Sequence, residues 1–256
     1  MIQHVPHIIG LLEEAGRLIM DVYDGGAEAA DVQWKEDASP LTLADKRSHD
    51  YLIDELSALN HQIPIMSEES VQLPFSERKT WRQYWCLDPL DGTKEFIKRN
   101  GQFTINLALM EDAKPVLGFI HVPVSGHTFW AALGNGAHHY DGVETRRIQS
   151  NRKSSEWIAV GSGSHGTEEE LAVLSSYPVT ETRKAGSALK FCLIAQGKAD
   201  IYYRHGPTME WDTAAGHILV REAGATFDFS GGSERNYNKE SLVNPSFLVR
   251  IQHPSL

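Results

Sequence analysis

Two cysteines in 256 residues leave no material for a disulfide framework. Cys86 and Cys192 both lie in apolar segments and read as reduced core thiols of a cytoplasmic protein. No apolar run approaches the roughly 20 residues that span a bilayer, which excludes an integral membrane segment. The start, Met1-Ile2-Gln3-His4-Val5-Pro6, has neither the basic stretch nor the apolar block of a signal peptide. Basic residues are scarce: 24 Lys and Arg stand against 34 Asp and Glu, a formal charge of −10. Such a chain gains nothing from general attraction to a polyanion, so a nucleic-acid polymer is not an expected partner. A small phosphate ester stays open, because bound cations can reverse the local field. No Cys/His cluster has zinc spacing, and His138-His139 reads as a surface turn. Neither a Cys-x5-Arg nor an Asp-x-Asp nucleophile motif occurs, so no covalent enzyme intermediate is expected. What is present is ordinary for a globular chain, 41% hydrophobic and 23% charged, enough for one large domain or two smaller ones.

The most informative stretch is Trp85-Cys86-Leu87-Asp88-Pro89-Leu90-Asp91-Gly92-Thr93-Lys94-Glu95-Phe96. Tyr84 to Leu87 reads as a strand buried on both faces, ended by the charge of Asp88. Pro89 restricts φ and holds the two carboxylates at a set separation. Gly92 permits a positive φ or close backbone approach. A helical turn from Thr93 would present unpaired N–H groups. Carboxylates beside free donors suit a divalent cation with a bound phosphate, the acids holding the metal and the helix start the anion. Turn formation is the simpler role for either Asp taken alone.

Before this stretch, Val5, Ile8, Ile9, Leu12, Ala15, Leu18, Ile19 and Val22 recur at helical spacing and stop at Gly25-Gly26. Trp34 to Pro40 is a polar connection. Thr42-Leu43-Ala44-Asp45 opens a second helix as a capping box, continued by Tyr51, Leu52, Leu56 and Leu59. Ile63 to Met66 is a short strand ending in Ser67-Glu68-Glu69-Ser70, which could be only a solvated turn. After it, Phe103 to Leu109, Val116 to Val122 and Thr128 to Leu133 form an antiparallel meander, and Val143 to Ile148 adds an edge.

Ser150 to Ser155 is polar and charged and marks the boundary between residues 1–150 and 151–256. Trp157 to Val160, a strand, runs into Gly161-Ser162-Gly163-Ser164-His165-Gly166, which spells a dinucleotide fingerprint. Glu168, Glu169 and Glu170 crowd the following first turn and would repel a pyrophosphate, and Thr167 with Glu170 forms a capping box. Gly186 to Gly197 is a capped helix with a glycine stop, Ala199 to Tyr203 a strand, and Glu210-Trp211-Asp212-Thr213-Ala214-Ala215-Gly216 opens a helix ending at Gly224. This alternation implies a partly parallel second sheet, and Asp212 could be a simple helix cap. Phe247 to Ile251 is the last strand.

Asp88-Pro89-Leu90-Asp91-Gly92-Thr93 resembles the metal motif of the inositol monophosphatase superfamily. The continuation from Lys94 to Gly101, with Gly186-Ser187-Ala188-Leu189-Lys190-Phe191-Cys192 and Trp211 to Gly216, is similar to its bisphosphate-nucleotidase branch, the CysQ type. The resemblance implies a five-layer αβαβα sandwich of α/β (α+β layered) class, with an antiparallel N-terminal sheet and a mixed, partly parallel C-terminal sheet. It implies metal ligands at Glu68, Asp88, Asp91 and Asp212 and the Leu90 carbonyl, most of them in residues 1–150. Hard oxygen ligands favour two or three Mg2+ ions. Asp45 would pair with Thr93 to polarise the attacking water, and Glu69 would contact that water. Gly92, Thr93, Gly186 and Ser187 would hold the substrate, with Lys190 and Arg204 as cationic contacts for a second phosphate. Both could equally be solvated charges or salt-bridge partners. The implied activity is hydrolysis of adenosine 3′,5′-bisphosphate, or its 5′-phosphosulfate analogue, to recycle a by-product of sulfate assimilation. An inositol or sugar monophosphatase is the alternative within the superfamily, and a nucleotide-binding oxidoreductase built on Gly161 to Gly166 a distant one. The expected protein is cytoplasmic, as a monomer or homodimer, with peripheral contact to the cytoplasmic side of the inner membrane left open.

Overall fold

The computed structural model describes residues 2–26, 31–34, 40–151, 155–162, 167–232 and 237–252. Residues 35–39 of the polar connection, residues 152–154 of the expected boundary and residues 163–166 of the glycine-rich motif lie outside these. Helix α1 (Val5–Asp24) precedes a two-stranded ribbon, β1 (Gln33–Trp34) and β2 (Pro40–Leu41), and then α2 (Leu43–Leu59). There follow β3 (Ile65–Ser67), α3 (Phe75–Arg78), β4 (Gln83–Asp91), α4 (Thr93–Ile97), β5 (Thr104–Glu111), β6 (Lys114–Val122), β7 (His127–Ala132), β8 (Gly136–Tyr140) and β9 (Thr145–Ile148). Strands β3 to β9 make one seven-stranded sheet in sequence order. The antiparallel expectation holds from β4 to β9 and gives way at the edge, where β3 runs parallel to β4. The connection between them is long enough to contain α3, which permits the parallel return.

The second sheet is built from β10 (Trp157–Gly161), β11 (Val179–Lys184), β12 (Ile201–Arg204), β14 (Ala225–Phe229) and β16 (Phe247–Ile251). Helices α5 (Glu168–Leu174), α6 (Leu189–Ala195) and α7 (Glu210–Glu222) alternate with them, and β13 (Thr208–Met209) pairs with β15 (Val243–Asn244). The order is β11-β10-β12-β16-β14; β10 is parallel to both neighbours and β16 antiparallel to both of its own.

Side-chain alternation sets the layers. Trp85 and Leu87 point into the core shared with α1 and α2, while Tyr84 and Cys86 point into the core shared with α6 and α7. Ile158 and Val160 face that same central core from the second sheet, and Trp157 and Ala159 face outward, where Leu174 of α5 packs. The result is helix, sheet, helix, sheet, helix. Both cysteines are buried and unbridged. Strands β8, β11 and β14 escaped the sequence reading, as did the two-residue strands β1, β2, β13 and β15. His138 and His139 belong to β8 rather than to a turn, and they are half-buried, stacked on Trp130 and Phe129 with ring centroids 4.1 and 4.4 Å apart. Among the described residues no helix is long and apolar enough to cross a membrane.

Helix α7 is the middle of the sandwich. It buries Trp211, Ile218, Leu219 and Val220, each such side chain contributing about 1.5–3 kcal/mol. It can lie that close to β6 because Gly118 has no Cβ; one placed there would be 2.4 Å from Ile218 Cγ2 and 3.0 Å from the Ala215 carbonyl oxygen. Gly118→Ala should therefore destabilise the protein by about 1–3 kcal/mol, read as a lower urea midpoint. Gly10→Ala, on the exposed side of α1 with nothing within 4 Å of the new methyl, should stabilise it by about 0.5–1 kcal/mol. Equal effects at the two positions would refute this account of the layer spacing.

Candidate active site

Three local devices bring acids together. The first is the parallel register of β3 and β4, with Ser67 opposite Leu87, so that Glu68 emerges beside Asp88. The Glu68 N–H donates to the Leu87 carbonyl at 3.1 Å. The second is a bulge. Strand β4 does not end at Asp88 as expected but runs on to Asp91. Its pairing with β5 slips on the way, from Asp88 opposite Asn106 to Asp91 opposite Thr104. In a regular strand, side chains three apart point to opposite faces; the extra residue lets both carboxylates open on one cavity. The third is α7, which delivers Asp212 from the other half of the chain. Asp212 sits in the first turn, and its Oδ2 accepts the Met209 N–H at 2.8 Å. The helix-cap role and convergence on the site therefore coexist.

One oxygen each from Glu68, Asp88 and Asp212 lies within 4.8 Å of the others, and these could hold a metal ion. Asp91 lines the same cavity of about 210 Å3, with Leu90, Gly92 and Thr93, but lies outside the tight triad. Its Oδ2 accepts from Asn106 Nδ2 at 3.1 Å, with Thr104 Oγ1 at 3.5 Å. Asn106 and Thr104 were missed from sequence. Two polar residues at a spacing of two on an otherwise apolar strand were the available signal. Glu69, expected at the water, is not part of the cavity lining; it follows Glu68 past the end of β3, where the chain turns away.

Asp45 uses its two oxygens differently. Oδ2 accepts the Thr42 N–H and hydroxyl at 2.7 and 2.6 Å, completing the capping box. Oδ1 accepts the Thr93 hydroxyl at 3.1 Å. The motif turn is pinned from behind, where Ser48 Oγ donates to the Pro89 carbonyl at 2.8 Å. Gly92 has φ 94°, and a Cβ there would fall 2.0 Å from Ser187 Oγ. Helix α6, expected to be capped, begins after Ala188, which has no side-chain cap bond. The Ser187 hydroxyl lies 2.8 Å from both the Asp91 and Gln102 carbonyl oxygens, tying the two halves together.

A second cavity of about 280 Å3 adjoins the first and shares Asp91, Lys94, Glu95 and Asp212 with it. Gly186, Lys190 and Arg204 line it, as expected of a cleft-facing set. Lys190 is buried and donates to the Ala185 and Ser187 carbonyls at 3.2 and 2.8 Å. Arg204 donates to Ser162 Oγ at 3.1 Å and lies 3.9 Å from Glu170. Glu170 accepts the His205 N–H rather than closing the expected box with Thr167, of which only the Glu170 N–H to Thr167 Oγ1 half forms. A larger groove, about 610 Å3 near Asn60 and Trp81, lies apart from these acids.

Burial pushes the carboxyls of Asp88 and Asp212 well above the ordinary range, and their acidic neighbours push further. Asp91 is raised to about 6, by burial against the opposing pull of Lys190 and the Asn106 bond. Without a cation the folded site therefore keeps protons that the unfolded chain releases near pH 4. A group raised in this way stabilises the fold less as pH climbs through its folded value. His121 and His217, lowered by burial to about 4 and 3, act in the opposite direction, so a single variant isolates the acids. In the presence of a chelator, Asp88→Asn should raise the melting temperature, and by more at pH 7.5 than at pH 5.5. A gain that is absent, or larger at pH 5.5, would contradict this electrostatic account.

Comparison with known proteins completes the description. The model of the inositol monophosphatase family matches residues 3–254. The chain is 43% identical over 242 residues to a 3′(2′),5′-bisphosphate nucleotidase CysQ of Salmonella typhimurium, covering 94% of this chain and 97% of that one. It is 36% identical over 223 residues to that of Haemophilus influenzae, covering 85% and 82%. Among solved structures, CysQ from Bacteroides thetaiotaomicron, described as a bacterial member of the inositol monophosphatase family, superposes with a TM-score of 0.82 at 38% identity, over 95% of each chain. The suhB protein of Bartonella henselae reaches 0.78 at 25% identity, over 96% and 93%.

Proposed function

The chain belongs to the inositol monophosphatase family, and from that premise we propose that it is a magnesium-dependent 3′(2′),5′-bisphosphate nucleotidase. Its reaction is hydrolysis of adenosine 3′,5′-bisphosphate to AMP and phosphate. The observation that carries the reading is the convergence of Glu68, Asp88 and Asp212 from separate elements, with Asp91 at the same cavity. A buried set of acids held against ionisation is a site short of positive charge, and its hard oxygens fit magnesium. Glu68, Asp88, Asp91, Asp212 and the Leu90 carbonyl would hold the ions, three of the carboxylates coming from residues 1–150 and Asp212 from 151–256. Bound there, magnesium supplies an acidified water and neutralises charge on the phosphoryl group.

The chain's own groups do the rest. The Thr93 hydroxyl donates a hydrogen bond to the Asp45 carboxylate, which leaves the lone pairs of its oxygen to accept a hydrogen bond from the attacking water. The N–H groups of Gly92 and Thr93 face developing charge on the phosphate. Lys190 spends two of three donors on backbone carbonyls and keeps one for a ligand, while Arg204 lies across the same cavity. These two cations suit the phosphate that is not cleaved. A cytoplasmic enzyme, monomeric or dimeric, is consistent with this reading.

The test is a substrate panel with magnesium. Adenosine 3′,5′-bisphosphate should exceed inositol 1-phosphate by at least about tenfold in kcat/KM, which corresponds to about 1.4 kcal/mol of transition-state discrimination. Preference for the inositol ester would shift the assignment to a monophosphatase. Asp91→Asn should lower turnover by about a hundredfold or more with an unchanged circular dichroism spectrum, since metal assistance is worth several kcal/mol. Near-normal turnover at ordinary magnesium would remove the metal-site assignment.

A further inference from the structure

A run of hydrogen bonds, half-buried from Ser67 to Leu73 and buried from Arg78 through Asn238 to Glu210, leads away from the acids, and the proposed reaction makes no use of it. It begins at Ser67, next to Glu68, whose carbonyl accepts Gln72 Nε2. The following residue, Leu73, offers its carbonyl to Arg78 Nε at 2.8 Å. Arg78 is 3% exposed. Its Nη1 donates to Asn238 Oδ1 at 2.8 Å and its Nη2 to the Lys239 carbonyl at 3.1 Å. Asn238 returns the bond, Nδ2 to the Arg78 carbonyl at 2.6 Å. The Asn238 N–H then donates to Glu210 Oε2 at 2.6 Å, while the Lys239 N–H and ammonium donate to Oε1 at 3.0 and 2.7 Å. Glu210 is fully buried and opens α7, two residues before Asp212.

The chemistry of this relay is hard to explain as packing. Glu210 pairs with the Lys239 ammonium at 2.7 Å, and buried ion pairs add little net stability compared with apolar residues of the same size. Their better-attested use is to fix one arrangement among several. Asn238 is fully buried at φ 51°, a left-handed conformation that, glycine aside, asparagine adopts more readily than most residues. Such residues persist where their surroundings over-determine them, and they cluster at functional sites. Glycine would accept that backbone freely but could not exchange bonds with Arg78. The relay thus joins the strand end that carries Glu68 to the helix start that carries Asp212. Those are two of the three acids whose oxygens fall within 4.8 Å of one another.

We infer that Arg78, Asn238 and Glu210 are positioning residues that set the spacing of Glu68 and Asp212, and through it the affinity of the acid cluster for a divalent cation. The inference rests on the reading of that cluster as a metal site. Its test uses the full-length protein and Mn2+ alone, titrated by calorimetry. Asn238→Gly and Arg78→Lys should each melt cooperatively and bind Mn2+ roughly 10–100-fold more weakly, the range found when partners behind metal ligands are removed. Because both act on one relay, the double variant should be no weaker than the product of the singles and closer to the worse of them. Folded variants within twofold of the parent affinity would overturn the inference. Should neither variant fold, the parent chain still decides. Coupling is reciprocal, so Mn2+ must raise hydrogen-exchange protection at the 238 and 239 amides beyond that at Ala131 in β7. No excess protection there would also overturn it. Parent protein that binds no Mn2+, or Asp212→Asn that binds as the parent does, would instead sink the metal-site reading and this inference with it.

Discussion

The burial of several carboxylates in one place governs this molecule. Burial raises Asp88, Asp91 and Asp212 above their ordinary range, Glu68 pushes all three further, and Asp91 adds to Asp88 and Asp212. No fold gathers such groups by propensity, because every one of them is more stable ionised in water. They meet because strongly apolar layers on both sides carry them there. Trp85 and Leu87 lock β4 to one helical layer, Tyr84 and Cys86 to the other, and α7 wedges between the sheets on the bare backbone of Gly118. The hydrophobic effect supplies the force, and the acids are where its surplus is spent.

Position then comes from short-range devices. The parallel β3–β4 register sets Glu68 beside Asp88, the bulge turns Asp91 to the same face, and Asn106 fixes the Asp91 carboxylate. Ser187 closes the seam between the halves with one hydroxyl near two carbonyls. Asp45 divides its labour, one oxygen capping α2 and the other orienting Thr93. Structural and chemical roles are thus shared by the same atoms, which is why a cap and a site residue are poor alternatives at Asp45 and at Asp212.

Much of this was legible in the chain. The helical spacing of α1 and the alternation of β5 to β7 depend on local periodicity, and both elements form where that periodicity lies. Asp88 and Asp91 were proposed because Asp88-Pro89-Leu90-Asp91-Gly92 resembles a known motif, Asp212 because Trp211 to Gly216 does, and Glu68 only as what that resemblance implies. What failed was non-local. The parallel return of β3 and the slip between Asp88 and Asp91 depend on which strand sits beside which, and no local pattern records that. Strands β8 and β11 were missed because glycine, histidine and charge dilute their alternation, whereas β14, Ala225-Thr226-Phe227-Asp228-Phe229, alternates cleanly and is short. His138 and His139 looked like a polar turn, and only the facing Trp130 and Phe129 rings make them strand residues. The tie that Ser187 makes to Asp91 and Gln102 was not legible, because those partners are distant in sequence.

The most direct examination of the central claim is anomalous diffraction from a crystal of this protein soaked in Mn2+ without substrate. The account predicts the strongest peak among the oxygens of Glu68, Asp88 and Asp212, and its loss in Asp88→Asn. Manganese bound elsewhere, with the acid cavity holding only water, would contradict it.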